Sequence, residues 1–94
     1  PALVNILAKK NSYDAIISLG CVIKGETDHY NFICEAVSKG MMDITIMNTL
    51  PILFGVLTCQ SKELAISRSL DTQDNKGYEV GLAAIEQIET FNSL

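Results

Sequence analysis

The sequence predicts an α/β fold, a parallel sheet covered by helices, and three observations carry that prediction. Two short runs rich in Ile, Val and Leu, residues 15–23 and 51–58, do not alternate with polar residues. Continuous apolar runs of this length fit strands covered on both faces, as in a parallel sheet. Between them Ile33, Val37, Gly40, Met41 and Ile44 recur at helical spacing. Further helical patterns before and after the strands give the order helix, strand, helix, strand, helix, helix. Strands separated by helical crossovers pair in parallel through right-handed connections. Two parallel strands alone make a poor sheet, so residues 1–94 read as a single partial domain, with further strands expected upstream.

In chain order, residues 1–11 form an amphipathic helix, with Pro1 suited to its first turn and Asn11-Ser12 closing it. Leu3, Val4 and Leu7 share one side. The run AIISLGCVI is the first strand. After the GETD turn, residues 28–48 form the long helix, and Thr27 or Asp28 can cap its first N–H groups. PILFGVLT is the second strand. Ser61 caps a short helix reaching residue 70, and DTQDNKG is a polar connection. Residues 75–91 make the last helix, with Tyr78, Leu82, Ile85 and Ile88 on its buried side and Gly81, Ala83 and Ala84 permitting close packing.

Composition narrows the function classes. Of the 94 residues, 48% are hydrophobic and the net charge is −4, which describes a globular, mildly acidic chain rather than a disordered one. The seven Lys and Arg residues are scattered, without the basic stripe that a nucleic-acid partner would need. No apolar run reaches the length of a membrane span. Cys21, Cys34 and Cys59 form no CxxC pair and sit in apolar stretches. They read as small buried hydrophobes of a reducing cytosol, so a cytoplasmic protein is expected. A zinc site would require a second Cys or His cluster, and no metal or cofactor is expected.

Ligands of open α/β sheets bind outside the carboxyl ends of the strands. The first strand ends in Gly25-Glu26-Thr27-Asp28-His29, the start of a helix. Unpaired N–H groups and the positive dipole end suit an anion such as phosphate there, although Gly and Thr are also common before helices. His29 beside a bound anion is placed to move protons; its plainer reading is a surface histidine. Arg68, the only arginine, suits phosphate through its planar fork, or else pairs with a carboxylate, for which Glu79 is the candidate. Phe54 inside the second strand reads first as core. Lys76 stands at a helix start, where the dipole disfavours a positive charge.

The segments YDAIISLGCVIKGETDHY, EAVSKG, PILFGVLT and NKGYEVGLAAIE follow one another with the spacing of lumazine synthases. The chain resembles that family over essentially its whole length. The resemblance implies a flavodoxin-like sheet sandwiched by helices. It also implies condensation of 5-amino-6-ribitylamino-uracil with 3,4-dihydroxy-2-butanone 4-phosphate, giving 6,7-dimethyl-8-ribityllumazine, phosphate and water. This is the penultimate step of riboflavin formation and uses no metal or redox cofactor. By the same resemblance His29 is the proton-transfer residue, and Glu26 and Thr27 hold phosphate, largely through backbone N–H groups. Cys21, Val22 and Ile23 meet the pyrimidine and ribityl chain through their backbone. Phe54, Arg68 and Lys76 reach a neighbouring subunit's site, where Phe54 stacks on the pyrimidine, Arg68 binds phosphate and Lys76 lies beside it.

Two departures from the family pattern stand out. The leading strands, a pyrimidine-stacking aromatic residue and a Glu-containing turn that binds the ribityl chain are expected upstream of Pro1. Icosahedral relatives also carry a Gly-Thr-Lys-x-Gly-Asn-like turn before the last helix, where this chain has LDTQDNKG. A homopentamer is therefore expected rather than a sixty-subunit shell. The alternative function is a non-catalytic flavin- or phospho-ligand-binding protein on the same scaffold. An archaeal riboflavin synthase, which shares the scaffold, fits the phosphate-site residues less well.

Overall fold

A computed structural model describes residues 1–94. Six elements follow in the expected order: α1 (Ala2–Ala8), β1 (Ile16–Ile23), α2 (His29–Met47), β2 (Ile52–Cys59), α3 (Lys62–Ser67) and α4 (Lys76–Asn92). The two strands pair in parallel over their full length, from Ile16 opposite Ile52 to Ile23 opposite Cys59. One further bond, from Lys24 N–H to the Cys59 carbonyl at 2.9 Å, extends the ladder beyond the strand ends. No helix is long and apolar enough to cross a membrane.

The crossover helix α2 lies with α1 on one face of the sheet, and α3 and α4 lie on the other. The first face buries Val4, Ala8, Ile16, Met41, Ile44 and Ile52 as one cluster. The second buries Leu53, Val80 and Ala84. Side chains alternate across a strand, so Ile52 and Leu53, adjacent in β2, enter different cores. Caps fix the later helix starts. The Ser61 hydroxyl accepts from Leu64 N–H at 3.3 Å, and the Asn75 side chain accepts from Tyr78 N–H at 2.9 Å.

Burial differs from expectation in three places. In α1, Val4 and Ala8 are buried while Leu3 is 67% exposed, and the helix ends at Ala8. The chain then leaves through Asn11, whose φ of 53° is the left-handed conformation that Asn tolerates. In α4, Tyr78, Leu82 and Ile85 are exposed, and Val80 and Ala84 take the buried side. The reason lies in β2. A Cβ at Gly55 would stand 3.1 Å from the Val80 side chain and 2.8 Å from that of Leu19, so glycine there seats Val80 directly on the sheet. The third difference concerns the cysteines. Cys59 is buried, Cys34 half-buried and Cys21 exposed; Cys21 shares with Ile17, Leu19 and Ile23 the face of β1 that stays exposed along its length.

Only 13 of 94 residues are buried, so the stripes on α2 (Phe32, Met42, Ile46) and α4 (Tyr78, Leu82, Ile85) remain uncovered. Apolar surface on this scale marks contact with other protein surface.

Candidate active site

The carboxyl end of β1 opens into a cavity of about 470 Å³. Its walls are Cys21, Val22 and Ile23 of the strand, Gly25 and Thr27 of the turn, and His29 and Tyr30 of α2. The last residues of β1 contribute and β2 contributes nothing, so the cavity lies where β1 passes into α2. His29 is exposed and is the first residue of α2. Its N–H donates to the Thr27 hydroxyl at 3.3 Å. Asp28 has helical dihedrals and makes no cap bond, so Thr27 alone performs the capping expected of this pair.

The turn leaves several backbone N–H groups free. The backbone N–H groups of Glu26, Thr27, Asp28 and Tyr30 donate to no other group of the chain. They cluster where the dipole of a 19-residue helix is positive. A Cβ added to Gly25 would meet nothing within 4 Å, and no glycine here has positive φ. Neither strain nor an internal clash requires glycine at this position, and its open side would let a ligand come close to the backbone. Gly25→Ala should therefore melt like the wild type while binding inorganic phosphate about tenfold more weakly, the loss of one charged hydrogen bond. Calorimetric titration checks this, and unchanged affinity would contradict it.

Tyr30, which the sequence did not single out, is half-buried and lines the same cavity. Partial burial pushes its phenol above the usual value of 10.0; the Cys34 thiol adds to the rise and the Thr58 hydroxyl opposes it. The phenol therefore stays protonated at neutral pH and serves as a donor. Its position directly after His29 in the first helical turn is the signal that would have found it.

Arg68 and Lys76 stand elsewhere. They line a second cavity of about 360 Å³, with Val56, Leu57, Thr58 and Cys59 of β2 and no residue of β1. Arg68 ends α3 and Lys76 begins α4. The connection between them is closed by a bond from Lys76 N–H to the Arg68 carbonyl at 2.8 Å, which brings the two cations together. Arg68 Nη2 donates to Glu79 Oε2 at 3.0 Å, the pairing expected from sequence, and Lys76 Nζ lies 3.7 Å from the same oxygen.

Of the nine expected site residues, Cys21, Val22, Ile23, Thr27 and His29 thus gather around one cavity. Arg68 and Lys76 gather around the other. Glu26 is exposed and lines neither cavity. Phe54 lines neither as well and packs, half-buried, against the core beneath α1 and α2. No group of three His, Cys, Asp or Glu residues is placed to hold a metal ion.

The turn sequence, the parallel sheet and the divided cation site agree with a single family. The family model of 6,7-dimethyl-8-ribityllumazine synthase matches residues 1–92. The chain belongs to the lumazine synthase family. The parallel pair β1–β2 with helices on both faces is that family's flavodoxin-like architecture. In this lumazine synthase chain the helix-start turn and the paired cations line separate cavities.

Proposed function

We propose that the protein condenses 5-amino-6-ribitylamino-uracil with 3,4-dihydroxy-2-butanone 4-phosphate to 6,7-dimethyl-8-ribityllumazine, in the penultimate step of riboflavin formation. The reading rests on one observation above the rest. The turn beside His29 and the paired cations Arg68 and Lys76 line separate cavities of one chain. A neighbouring copy that sets its Arg68–Lys76 pair against the turn after β1 completes the site. A ring of copies then makes every site whole, and a homopentamer acting in the cytoplasm is the assembly we propose.

Within such a site the pyrimidine and ribityl chain lie along Cys21, Val22 and Ile23, with Phe54 of a neighbouring copy against the ring. The ketone substrate places its phosphate over Gly25, Glu26 and Thr27, facing Arg68 and Lys76. The amine attacks the carbonyl, water leaves, and an imine forms. A proton then leaves C3 as phosphate leaves C4, and the resulting enol becomes a ketone at C3. Attack of the ribitylamino nitrogen on that ketone, with loss of a second water, closes the ring. Each step moves a proton near the reacting carbons. His29 is the group to take and return it, and Tyr30 offers a fixed O–H donor. Holding both substrates in register supplies much of the acceleration, because ordering replaces a bimolecular encounter.

The test is lumazine absorbance after mixing both substrates with the assembled protein. A second arm tests the shared site. His29→Ala and Arg68→Ala chains, each crippled alone, should regain activity when co-assembled, because one interface type then carries both intact halves. No recovery from a mixed oligomer would refute sharing. No lumazine from a folded wild-type oligomer would favour the binding-protein reading.

A further inference from the structure

We propose that Glu79 is a positioning residue that holds Arg68 and Lys76 as one unit and sets how tightly phosphate is held and released. The inference rests on the reaction proposed above and names a residue that reading does not use. One carboxylate oxygen, Oε2, meets Arg68 at 3.0 Å and Lys76 at 3.7 Å. The side chains of Arg68, Glu79 and Lys76 are 39%, 45% and 31% exposed. Ion pairs this open to water add little to fold stability, so the arrangement calls for another use.

Three features supply it. Arg68 gives Glu79 a single N–H from Nη2; the rest of its five-donor fork stays free for a phosphate. Arg68 and Lys76 also line a second space, of about 230 Å³, over Leu19, Gly20, Gly55 and Leu57 of the sheet. Glu79 borders neither cavity, and its tether holds both cations on the wall the two share. Finally, Lys76 stands at the positive end of α4, where the dipole opposes it, and Glu79 in the same first turn compensates. The trio carries a net charge of one rather than two. A phosphate ion leaving the site after turnover is therefore held less tightly than two unopposed cations would hold it.

Glu79→Gln keeps the shape and removes the charge. Deleting one unit charge about 5 Å away in a water-like medium changes a binding constant about fourfold. In the assembled protein, titration with inorganic phosphate should show this variant binding about that much more tightly. Its kcat should fall without a rise in KM for the phosphorylated substrate. Glu79→Asp keeps the charge but shortens the reach, so phosphate affinity should remain that of the wild type while kcat falls. Phosphate affinity unchanged or weakened in Glu79→Gln overturns the proposal, and so does wild-type kcat in Glu79→Asp. The phosphate titration needs no turnover: a protein that binds phosphate but makes no lumazine sinks the reaction assignment and leaves the role of Glu79 standing.

Discussion

Replacing His29 with alanine should slow turnover about a hundredfold or more, the usual contribution of a positioned acid–base group, while leaving phosphate binding intact. The two effects separate because different atoms carry them. In the proposed site the anion is received by the unbonded backbone N–H groups of the turn, which the substitution does not touch. The helix start is held by the Thr27 hydroxyl, which accepts from the backbone of residue 29 and not from its side chain. His29 is exposed and packs against no core cluster, so its loss costs the fold little. Tyr30 cannot replace it as a base, because its raised phenol holds its proton at neutral pH. Following lumazine absorbance in a single turnover, beside a phosphate titration, reads both quantities. Unchanged kinetics would remove the histidine from the mechanism. A parallel loss of phosphate affinity would make it a ligand rather than a proton carrier.

Much of the fold was legible because local rules and tertiary demands agreed. The Ile- and Val-rich runs became β1 and β2 with few boundary changes, and Ser61 and Asn75 start their helices through the side-chain bonds their residue types favour. Which side of a helix is buried was less legible. In α4 the spacing of Tyr78, Leu82 and Ile85 marks a real apolar stripe, yet the sheet takes the adjacent stripe of Val80 and Ala84. A periodic pattern identifies apolar faces but cannot rank two of them. The choice was made by Gly55, which lets Val80 approach the strand. Cys21 differs for a related reason: an apolar neighbourhood in sequence does not say which face of a strand is covered, and Cys21 lies on the exposed face of β1 with Ile17 and Leu19.

The candidate site shows the same division. Gly25, Thr27 and His29 are contiguous, and their meeting at a helix start could be read directly. That Arg68 and Lys76 share one carboxylate could be anticipated only in part, since their approach depends on the turn closed by the Lys76–Arg68 backbone bond. That the turn and the two cations line separate cavities could not be read from sequence, because it depends on how α3 and α4 pack beside β2. The uncovered stripes on α2 and α4 are apolar surface that further protein would cover.

Replacing Arg68 with alanine should chiefly weaken binding of the phosphorylated substrate, by about 1.5–3 kcal/mol for a lost charged hydrogen bond, or roughly ten- to hundredfold. The loss has two parts. One is the missing guanidinium. The other is Glu79, whose carboxylate keeps only Lys76 at 3.7 Å and turns from partner into a negative charge beside the anion. Arg68→Ala combined with Glu79→Gln should therefore bind phosphate better than Arg68→Ala alone, the non-additivity expected of residues in one ionic network. Arg68→Lys should recover only part of the affinity, because an ammonium cannot hold Glu79 and phosphate with one planar fork. Throughout the series the KM for the ribityl-bearing pyrimidine should stay near that of the wild type. Unchanged KM for the phosphorylated substrate in Arg68→Ala would count against the role. Simple additivity in the double variant would separate Glu79 from it.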